Sequence, residues 1–159
     1  MCTSELDLEK DLDTTLHNKF DVCFNHTTLE HIYEFQKAFQ NICLMSKDIV
    51  IIVLPFLQEQ HADYGDYWRF TPMAIRQMFE RNAMEMIYVN YNDEPNESIY
   101  IFAIGRKRHD KWNEILIHKD NKIDQVDKIH IGKKIIKNSF LYEFIVNIKV
   151  FIATLIKRK

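Results

Sequence analysis

Ile49-Val50-Ile51-Ile52-Val53-Leu54 is an unbroken run of six aliphatic residues, closed by Pro55. Its side chains do not alternate with polar ones, so the run predicts a strand that is buried on both faces. The polar residues just before it, Ser46-Lys47-Asp48, are interpreted as a turn. A strand buried on both faces is typical of a parallel sheet covered by helices, so this run decides the fold class.

A second apolar run lies upstream, at Phe20-Asp21-Val22-Cys23-Phe24-Asn25, and predicts another buried strand. Between the two runs, apolar residues recur at three- and four-residue spacing, which predicts an amphipathic helix capped by Thr27 or Thr28. The apolar face of this helix consists of Leu29, Ile32, Phe35, Ala38, Phe39 and Ile42. Two such strands joined by a helix form a β-α-β unit with a right-handed crossover, which predicts an α/β fold.

Residues 55–71 form a long connection after the second strand, at the sheet edge where open α/β sheets place their ligands. Thr71 as N-cap and Pro72 at the first helical position predict the start of a second helix. Two further strands are predicted at residues 84–91 and 98–106, separated by a hairpin-type turn. The sheet is therefore expected to end antiparallel.

The final segment, residues 138–159, has a helical period of apolar residues and a basic end at Lys157-Arg158-Lys159. The apolar positions are Leu141, Phe144, Ile148, Phe151, Ile152 and Leu155. This amphipathic helix is interpreted either as packing on the sheet or on a second subunit, or as a peripheral contact with a membrane surface. Polar residues interrupt the apolar run and argue against a helix that spans the membrane: Glu143, Asn147 and Lys149.

The length of 159 residues suits one core, here divided into residues 1–106 and a basic C-terminal extension over residues 107–159. The formal charge of -2 gives no field that would attract nucleic acid. Three cysteines without zinc-site spacing argue against a metal site and a disulfide framework, and favour a reducing, cytoplasmic setting. Acidic residues near the start of the chain are unlike a signal peptide.

Four motifs in order carry a resemblance to a known family: Phe20-Asp21-Val22, Leu29-Glu30-His31-Ile32, Ile52-Val53-Leu54-Pro55-Phe56, and His61 followed by Asp66-Tyr67-Trp68-Arg69-Phe70-Thr71-Pro72. Together they resemble the second half of class I S-adenosylmethionine-dependent methyltransferases, in particular the type 11 group. The resemblance covers residues 5–106. It implies a partial Rossmann-like sheet in which these strands match the last four strands of the family, the final one antiparallel.

The family binds its cofactor mainly through a Gly-rich loop after the first strand, where missing Cβ atoms let backbone amides approach the ligand. This chain has no such loop, since its glycines are Gly65, Gly105 and Gly132. The resemblance therefore implies the C-terminal portion of a methyltransferase, either truncated or completed by a first half that is supplied separately. Its acceptor would be a small molecule or a glycan, and the isolated chain is expected to be inactive or incomplete.

An alternative interpretation is a non-catalytic binding or assembly module derived from the same fold. In this interpretation, the exposed edge of the sheet pairs with a partner chain or is covered in a dimer. An unpaired strand edge presents free backbone donors and acceptors, so it needs some form of cover.

The resemblance places cofactor contacts at three residues, and the cofactor that it implies is S-adenosylmethionine. Asp7 lies in the segment before the first predicted strand, residues 1–19, which is called the lead-in. It matches an acidic position beside the adenine of the cofactor, although acids in such a segment are usually only solvated. Asn25 and His26 match the end of the fourth strand, next to the methionine end of the cofactor. A plain helix-capping role is the alternative for these two residues.

On the acceptor side, His61 is the candidate general base, with a simple hydrogen bond within the loop as the alternative. Tyr64, Tyr67 and Arg69 are the candidate substrate contacts. Arg69 would either clamp an acidic substrate group or pair with Asp66 to hold the loop, and the second interpretation is favoured.

Three more residues of these motifs receive mainly structural interpretations. Trp68 either stacks on a substrate or packs under the loop. His31 either faces the cleft or serves as a packing residue, and packing is favoured. Glu30 is interpreted as an acid at a helix start, stabilised by the helix dipole.

Overall fold

The structure is a computed structural model that describes residues 5–61, 64–93, 98–107 and 121–128, with helical positions at 144, 145 and 148. The chain divides into two units, Met1–Asp127 and Lys128–Lys159, and the strands and α-helices named below belong to the first. The predicted helix over residues 138–159 lies outside the described residues apart from those three positions. In the described part of the chain, no helix is long and apolar enough to cross a membrane. The predicted boundary at residue 106 stays a prediction.

The described elements form one mixed sheet with helices packed on it. In chain order they are β1 (Phe20–His26), α1 (Phe35–Met45), β2 (Ser46–Pro55), α2 (Pro72–Arg81), β3 (Glu85–Tyr91) and β4 (Tyr100–Arg106), with 3-10 turns at Thr14–Leu16, Leu29–His31 and Ile123–Lys128. The sheet has four strands in the order β1-β2-β4-β3. β1 and β2 are parallel, whereas β4 is antiparallel to both of its neighbours. The predicted α/β class, with an antiparallel final strand, is confirmed.

Strand β2 lies in the interior of the sheet and carries the aliphatic run. Val50, Ile52 and Leu54 are fully buried, while Ile51 and Val53 on the opposite face keep part of their surface exposed. The prediction of burial on both faces therefore holds completely for one face only. The predicted turn at Ser46-Lys47-Asp48 is wrong, because β2 begins at Ser46, directly after α1.

The helix before β2 begins later than predicted. Its start is at Phe35, and the expected caps at Thr27 and Thr28 are not used, since the Thr28 hydroxyl donates instead to the carbonyl of His26 (3.0 Å). The chain first makes a 3-10 turn at Leu29–His31. The indole N–H of Trp68 then donates to the carbonyls at positions 32 and 33, at 3.1 and 3.2 Å, which engages the backbone just before the helix.

The second helix and its packing follow the sequence prediction. Thr71 Oγ1 accepts a hydrogen bond from a backbone N–H of the first turn (3.1 Å), and Pro72 is the first helical residue. Phe79 of α2 is fully buried and meets Phe39 of α1 at a ring-centroid distance of 5.2 Å. A Cβ at Gly105 of β4 would overlap the ring of Phe79. Gly105 therefore allows α2 to pack directly against the middle of the sheet.

The two outer strands differ in how their free edges are covered. The backbone of β3 is paired beyond the sheet: the Lys122 N–H donates to the Val89 carbonyl (2.8 Å), and the Asn121 side chain bonds the backbone of Ile87 and Val89. Among the described residues, no backbone hydrogen bond reaches the outer edge of β1. The predicted burial of this strand is wrong, because none of its residues is buried and Phe24 is 63% exposed. The lead-in is held by Asn41 of α1, whose amide donates to two of its carbonyls at 2.9 and 2.7 Å.

Candidate functional site

The candidate site lies at the edge of the sheet where β1, β2 and β3 all end, because these three strands run in the same direction. The segment after β2, residues 56–71, is called the 56–71 loop, of which residues 62 and 63 are not described. Two backbone bonds hold it against the fold: the Phe70 N–H donates to the Pro55 carbonyl (2.9 Å), and the Tyr67 N–H donates to the Glu30 carbonyl (2.8 Å).

Arg69 organises the 56–71 loop through all five of its N–H donors. Its Nη1 and Nη2 atoms bind the two carboxylate oxygens of Asp66 at 2.5 and 2.7 Å. The remaining donors reach backbone carbonyls of Gln58, Glu59 and Trp68, at 2.7, 2.8 and 2.8 Å. The pairing of Arg69 with Asp66 that the sequence favours is therefore present, and a substrate contact at Arg69 stays a prediction.

His61 and Asp66 form a pair at the mouth of the loop. His61 Nδ1 lies 3.2 Å from Asp66 Oδ2, and the His61 backbone N–H donates to the same oxygen at 3.0 Å. The Asp66 side chain is completely buried, whereas that of His61 is 34% exposed. The Arg69 guanidinium is the main reason that the pKa of the Asp66 carboxyl lies well below its usual range. An acid whose pKa is lowered thus orients one nitrogen of a histidine whose ring reaches solvent.

A second acid and histidine lie in the 3-10 turn after β1. His31 Nδ1 lies 2.5 Å from the Gly65 carbonyl, so the loop and the turn are joined by a hydrogen bond. The Glu30 side chain is completely buried, and its Oε1 is 3.9 Å from His31 Nε2. Burial raises the pKa of Glu30, against smaller lowering effects of its own backbone N–H and of His31 and His61. Glu30 is the acid at the start of the short 3-10 turn Leu29–His31, and not at the start of the longer helix, which begins at Phe35.

The aromatic residues of the loop differ in how far they are exposed. Trp68 packs under the loop, with its ring 5.0 Å from that of Phe35 and its indole N–H bonded to the backbone. Tyr67 is half exposed and meets Tyr33 edge to face at 5.4 Å. Tyr64 is 78% exposed and lies 5.0 Å from the ring of His31. Tyr64 and His61 therefore share the surface of the His31 ring.

The three residues predicted to contact a cofactor have separate environments. Asn25, near the end of β1, has a buried Oδ1 without a hydrogen-bond partner among the described residues. His26 Nδ1 is 2.7 Å from the hydroxyl of Thr27. Asp7 pairs with Lys10 at 3.0 Å in the lead-in, and none of its described contacts joins it to the 56–71 loop. Asn25 and His26 thus lie at the site edge, while a cofactor role of Asp7 rests on the resemblance.

Buried polar atoms without partners gather at this edge. Within the described residues, such side-chain atoms belong to Asn25, Glu30, Asn41, Gln58 and Tyr91. Apart from Asn41, each of them lies at or just after the carboxyl end of β1, β2 or β3. Native proteins rarely leave buried polar groups unbonded, so the concentration of such groups here is a mark of a ligand or water site. No group of three or more histidine, cysteine or acidic residues in the described part could hold a metal ion.

No family model and no curated protein matches the sequence. Among solved structures, the chain is similar to magnesium protoporphyrin IX methyltransferase from Synechocystis PCC 6803 with bound S-adenosylhomocysteine (TM-score 0.47, 9% identity, 60% of this chain and 48% of that one). It is also similar to 1,6-didemethyltoxoflavin-N1-methyltransferase from Burkholderia thailandensis (TM-score 0.48, 14% identity, 58% of this chain and 46% of that one).

In both comparisons, the chain spans less than half the length of the protein that it matches.

The sequence predicted a site in the connection over residues 55–71, gave Glu30 only a helix-start role and named no role for Gly65. Both contribute through contacts with distant parts of the chain, since the Gly65 carbonyl binds a histidine 34 residues away. The one available signal is the setting of Glu30 and His31 between Leu29 and Ile32, where a charged pair among apolar residues indicates burial.

Proposed function

We propose that the chain is the C-terminal half of an S-adenosylmethionine-dependent methyltransferase of the type 11 group. It acts on a small-molecule or glycan acceptor and is inactive or incomplete on its own. The observation that carries this proposal is the His61–Asp66 pair, with Nδ1 of His61 3.2 Å from a fully buried carboxylate. The pair lies at the carboxyl edge of the strands, where α/β folds bind their ligands.

His61 is the general base in this proposal. With Nδ1 directed at Asp66, its Nε2 is the nitrogen that receives the proton of an acceptor hydroxyl or amine. The acceptor atom keeps the electron pair of the broken O–H or N–H bond and becomes the nucleophile. Asp66 orients the ring, and Arg69 keeps Asp66 in one position through two bonds to its carboxylate.

The residues of this chain would supply one side of a cofactor site. When bound, S-adenosylmethionine supplies a methyl group on a positively charged sulfur. Asn25, whose buried Oδ1 has no described partner, would accept a hydrogen bond at the methionine end, beside His26. Asp7 would lie near the adenine. The chain has no Gly-rich loop for the remaining contacts, which is why the isolated half is proposed to bind poorly.

The acceptor would lie against the exposed part of the 56–71 loop. Tyr64 and Tyr67 present exposed rings there, and aromatic faces suit stacking on planar or sugar-like molecules. Arg69 is placed beside them, but an acidic acceptor group would have to replace one of its loop acceptors. In this proposal, the tyrosines stack on uncharged parts of the acceptor, and Arg69 binds an acidic group of the acceptor.

Calorimetric titration with S-adenosylmethionine tests this proposal. We expect no micromolar binding by the chain alone. We expect micromolar binding once the chain is joined to the first half of a methyltransferase domain carrying strand, G-x-G turn and helix. In that joined protein, His61→Ala should lower kcat by about 10² to 10⁴, while His17→Ala, in the lead-in, should not change it. Micromolar binding by the isolated chain would contradict the proposal that the missing loop is essential.

A second candidate function is an assembly module, and the open edge of β1 is the observation that favours it. Phe20, Val22 and Phe24 alternate along this strand and are 43, 47 and 63% exposed. A groove of about 410 Å³ follows the same edge, lined partly by Leu6 and Leu8 of the lead-in. An unpaired strand with an apolar groove beside it is the surface that adds a strand from a partner chain or a second copy.

Sedimentation over a range of protein concentrations tests the assembly module. Phe24→Lys places a charge on the open edge and should abolish any association, because a charged edge opposes strand addition. Met73→Lys is the matched control, since Met73 is an exposed apolar residue on α2 (53% exposed), away from β1. Association that is lost equally in both variants, or that is absent at all concentrations and with cell extract, would speak against this function.

A peripheral membrane contact through residues 138–159, at a cytoplasmic membrane surface, completes the proposal. This segment carries the basic end and apolar period described above, and Phe144, Ile145 and Ile148 are helical. Sedimentation with vesicles of anionic lipid is the test. The full chain should pellet with them at low salt, and a chain ending at residue 137 should stay in the supernatant.

A further inference from the structure

Glu30 is a buried acid that the proposed function does not use. Its side chain has no exposed surface, and neither carboxylate oxygen has a hydrogen-bond partner among the described residues. Leaving a carboxylate buried and unbonded is costly, so a group in this state either holds a proton or has a charged neighbour. The nearest candidate is His31, with 3.9 Å between Oε1 and Nε2.

The ring of His31 is fixed on its other side. A carbonyl oxygen can only accept, so the 2.5 Å contact with Gly65 requires that His31 Nδ1 carry a hydrogen and donate it. The Nε2 atom is then left facing Glu30. A neutral histidine with its hydrogen on Nε2 would instead bring the lone pair of Nδ1 against the Gly65 carbonyl, which is repulsive.

We propose that Glu30 is a positioning residue for the 56–71 loop, which acts through His31. The buried carboxyl group of Glu30, with Oε1 3.9 Å from Nε2 of His31, keeps that nitrogen turned inward and so keeps the Nδ1–H of His31 directed at the Gly65 carbonyl. This hydrogen bond between His31 and Gly65 joins the loop to the turn after β1. The Tyr67 N–H, which donates to the backbone carbonyl of Glu30, forms a second tie to the same residue.

The groups around the pair are those named for the site. The ring of His61 lies 5.3 Å from that of His31, and Tyr64 lies 5.0 Å from it. The Asp66 charge also faces Glu30 and raises its pKa, but only as the smallest of the named effects. His31 is thus in ring contact with both His61 and Tyr64. The inference rests on the proposed function only in giving these two residues a ligand-side role.

The test compares Glu30→Gln with Glu30→Leu in the full chain and without ligand. Nitrogen-15 NMR of the imidazole reports which nitrogen of His31 is protonated, and His31→Gln assigns the signals. Hydrogen exchange of the Tyr67 and Phe70 amides reports loop order. A glutamine side chain can donate an amide hydrogen to Nε2, so Glu30→Gln should keep Nδ1 protonated and change exchange less than about twofold. Leucine cannot, so Glu30→Leu should remove the tautomer preference and speed exchange about tenfold or more.

Three outcomes would overturn the inference. Equal exchange and equal tautomers in the two variants would make Glu30 a space-filling residue. In the wild-type chain alone, an unprotonated Nδ1 of His31 near pH 7 would contradict it even if Glu30→Leu does not fold. Faster exchange in Glu30→Gln than in Glu30→Leu would show that a hydrogen-bonding side chain at position 30 hinders loop order. None of these measurements uses S-adenosylmethionine, so they separate this inference from the proposed function.

Discussion

Asp66 and Glu30 are two acids at the same edge of the sheet with opposite surroundings. Both side chains are completely buried, and both have a histidine nitrogen nearby, at 3.2 Å for Asp66 and 3.9 Å for Glu30. Asp66 accepts three further hydrogen bonds, from both terminal nitrogens of Arg69 and from the His61 backbone. Glu30 accepts none from the described residues. The pKa of Asp66 is accordingly lowered and that of Glu30 raised.

The difference teaches that burial does not by itself decide the charge of an acid. Desolvation favours the neutral form in both cases, but hydrogen bonds from a guanidinium outweigh it for Asp66. Asp66 is thus a fixed charge that holds the loop, whereas Glu30 is an acid whose proton depends on its neighbour. The following changes test this contrast, from the largest expected effect to the smallest.

Asp66→Ala should have the largest effect on stability. It leaves the Arg69 guanidinium with two unbonded donors in a setting that is 26% exposed, and we expect a loss of about 3 kcal/mol in the free energy of unfolding. Urea unfolding measures it. Asp66→Asn, which keeps one acceptor oxygen, should lose about half as much. A loss below about 0.5 kcal/mol for Asp66→Ala would mean that the fixed charge does not hold the loop.

Arg69→Lys should have the next largest effect. Lysine keeps the charge but has three donors instead of five and cannot bind both oxygens of Asp66 in a planar fork. We expect a loss of about 2 kcal/mol by urea unfolding, together with faster hydrogen exchange in the 56–71 loop. If the lysine variant preserved both stability and exchange, charge alone would explain Asp66 and the geometry of the fork would be irrelevant.

Gly65→Ala tests the residue that lies between the surroundings of the two acids. Gly65 precedes Asp66 in the chain, and its carbonyl binds His31, the neighbour of Glu30. Its φ of +118° is one that residues with a side chain rarely adopt, so we expect a loss of about 1.5 kcal/mol. The new Cβ would also lie 2.7 Å from the Tyr67 hydroxyl oxygen. Because the tip of Tyr67 can move, adding Tyr67→Ala should recover only a small part of the loss. Full recovery would assign the effect to this contact.

Glu30→Gln should have the smallest effect on the free energy of unfolding, and its pH dependence should be opposite to that of Asp66→Asn. An acid with a raised pKa in the folded state reduces stability as pH rises above its ordinary value of 4.5. Glu30→Gln should therefore gain stability relative to the wild type above that pH, by about 1 kcal/mol near neutrality. Thermal or urea unfolding across pH measures the gain.

Asp66→Asn supplies the reverse pH dependence as a control. The contribution of an acid with a lowered pKa is present above its ordinary value of 3.8 and is lost as pH falls below it. The deficit of Asp66→Asn should therefore shrink in acid. Two stability differences with the same pH slope would refute the contrast between the acids.

The strands and the second helix were predictable because their signals are local. The aliphatic run of β2, and the Thr71–Pro72 start of α2, act through residues that are neighbours in the chain. The start of α1 was not predictable, since Trp68 bonds the backbone at positions 32 and 33 from another part of the sequence. Ser46 was assigned to a turn because its polarity hid a buried hydroxyl that bonds the Ile49 carbonyl.

The candidate site divides in the same way. The pairing of Arg69 with Asp66 spans three residues and was anticipated from the sequence. The hydrogen bond between His31 and Gly65 spans 34 residues, and no local sequence pattern predicts it. Glu30 is likewise joined to the 56–71 loop by a non-local contact, the hydrogen bond from the Tyr67 N–H to its carbonyl. The roles of His61, Asn25 and the other predicted site residues stay predictions.

Strand β2 has a consequence for how the chain is made. Its Val50 pairs with Cys23 on one side and with Gly105 on the other. During synthesis the first partner is already available, while the second emerges only after α2 and β3. One edge of this long apolar strand therefore stays unpaired until β4 has been synthesised. During that interval, a nascent chain of this kind depends most on chaperones.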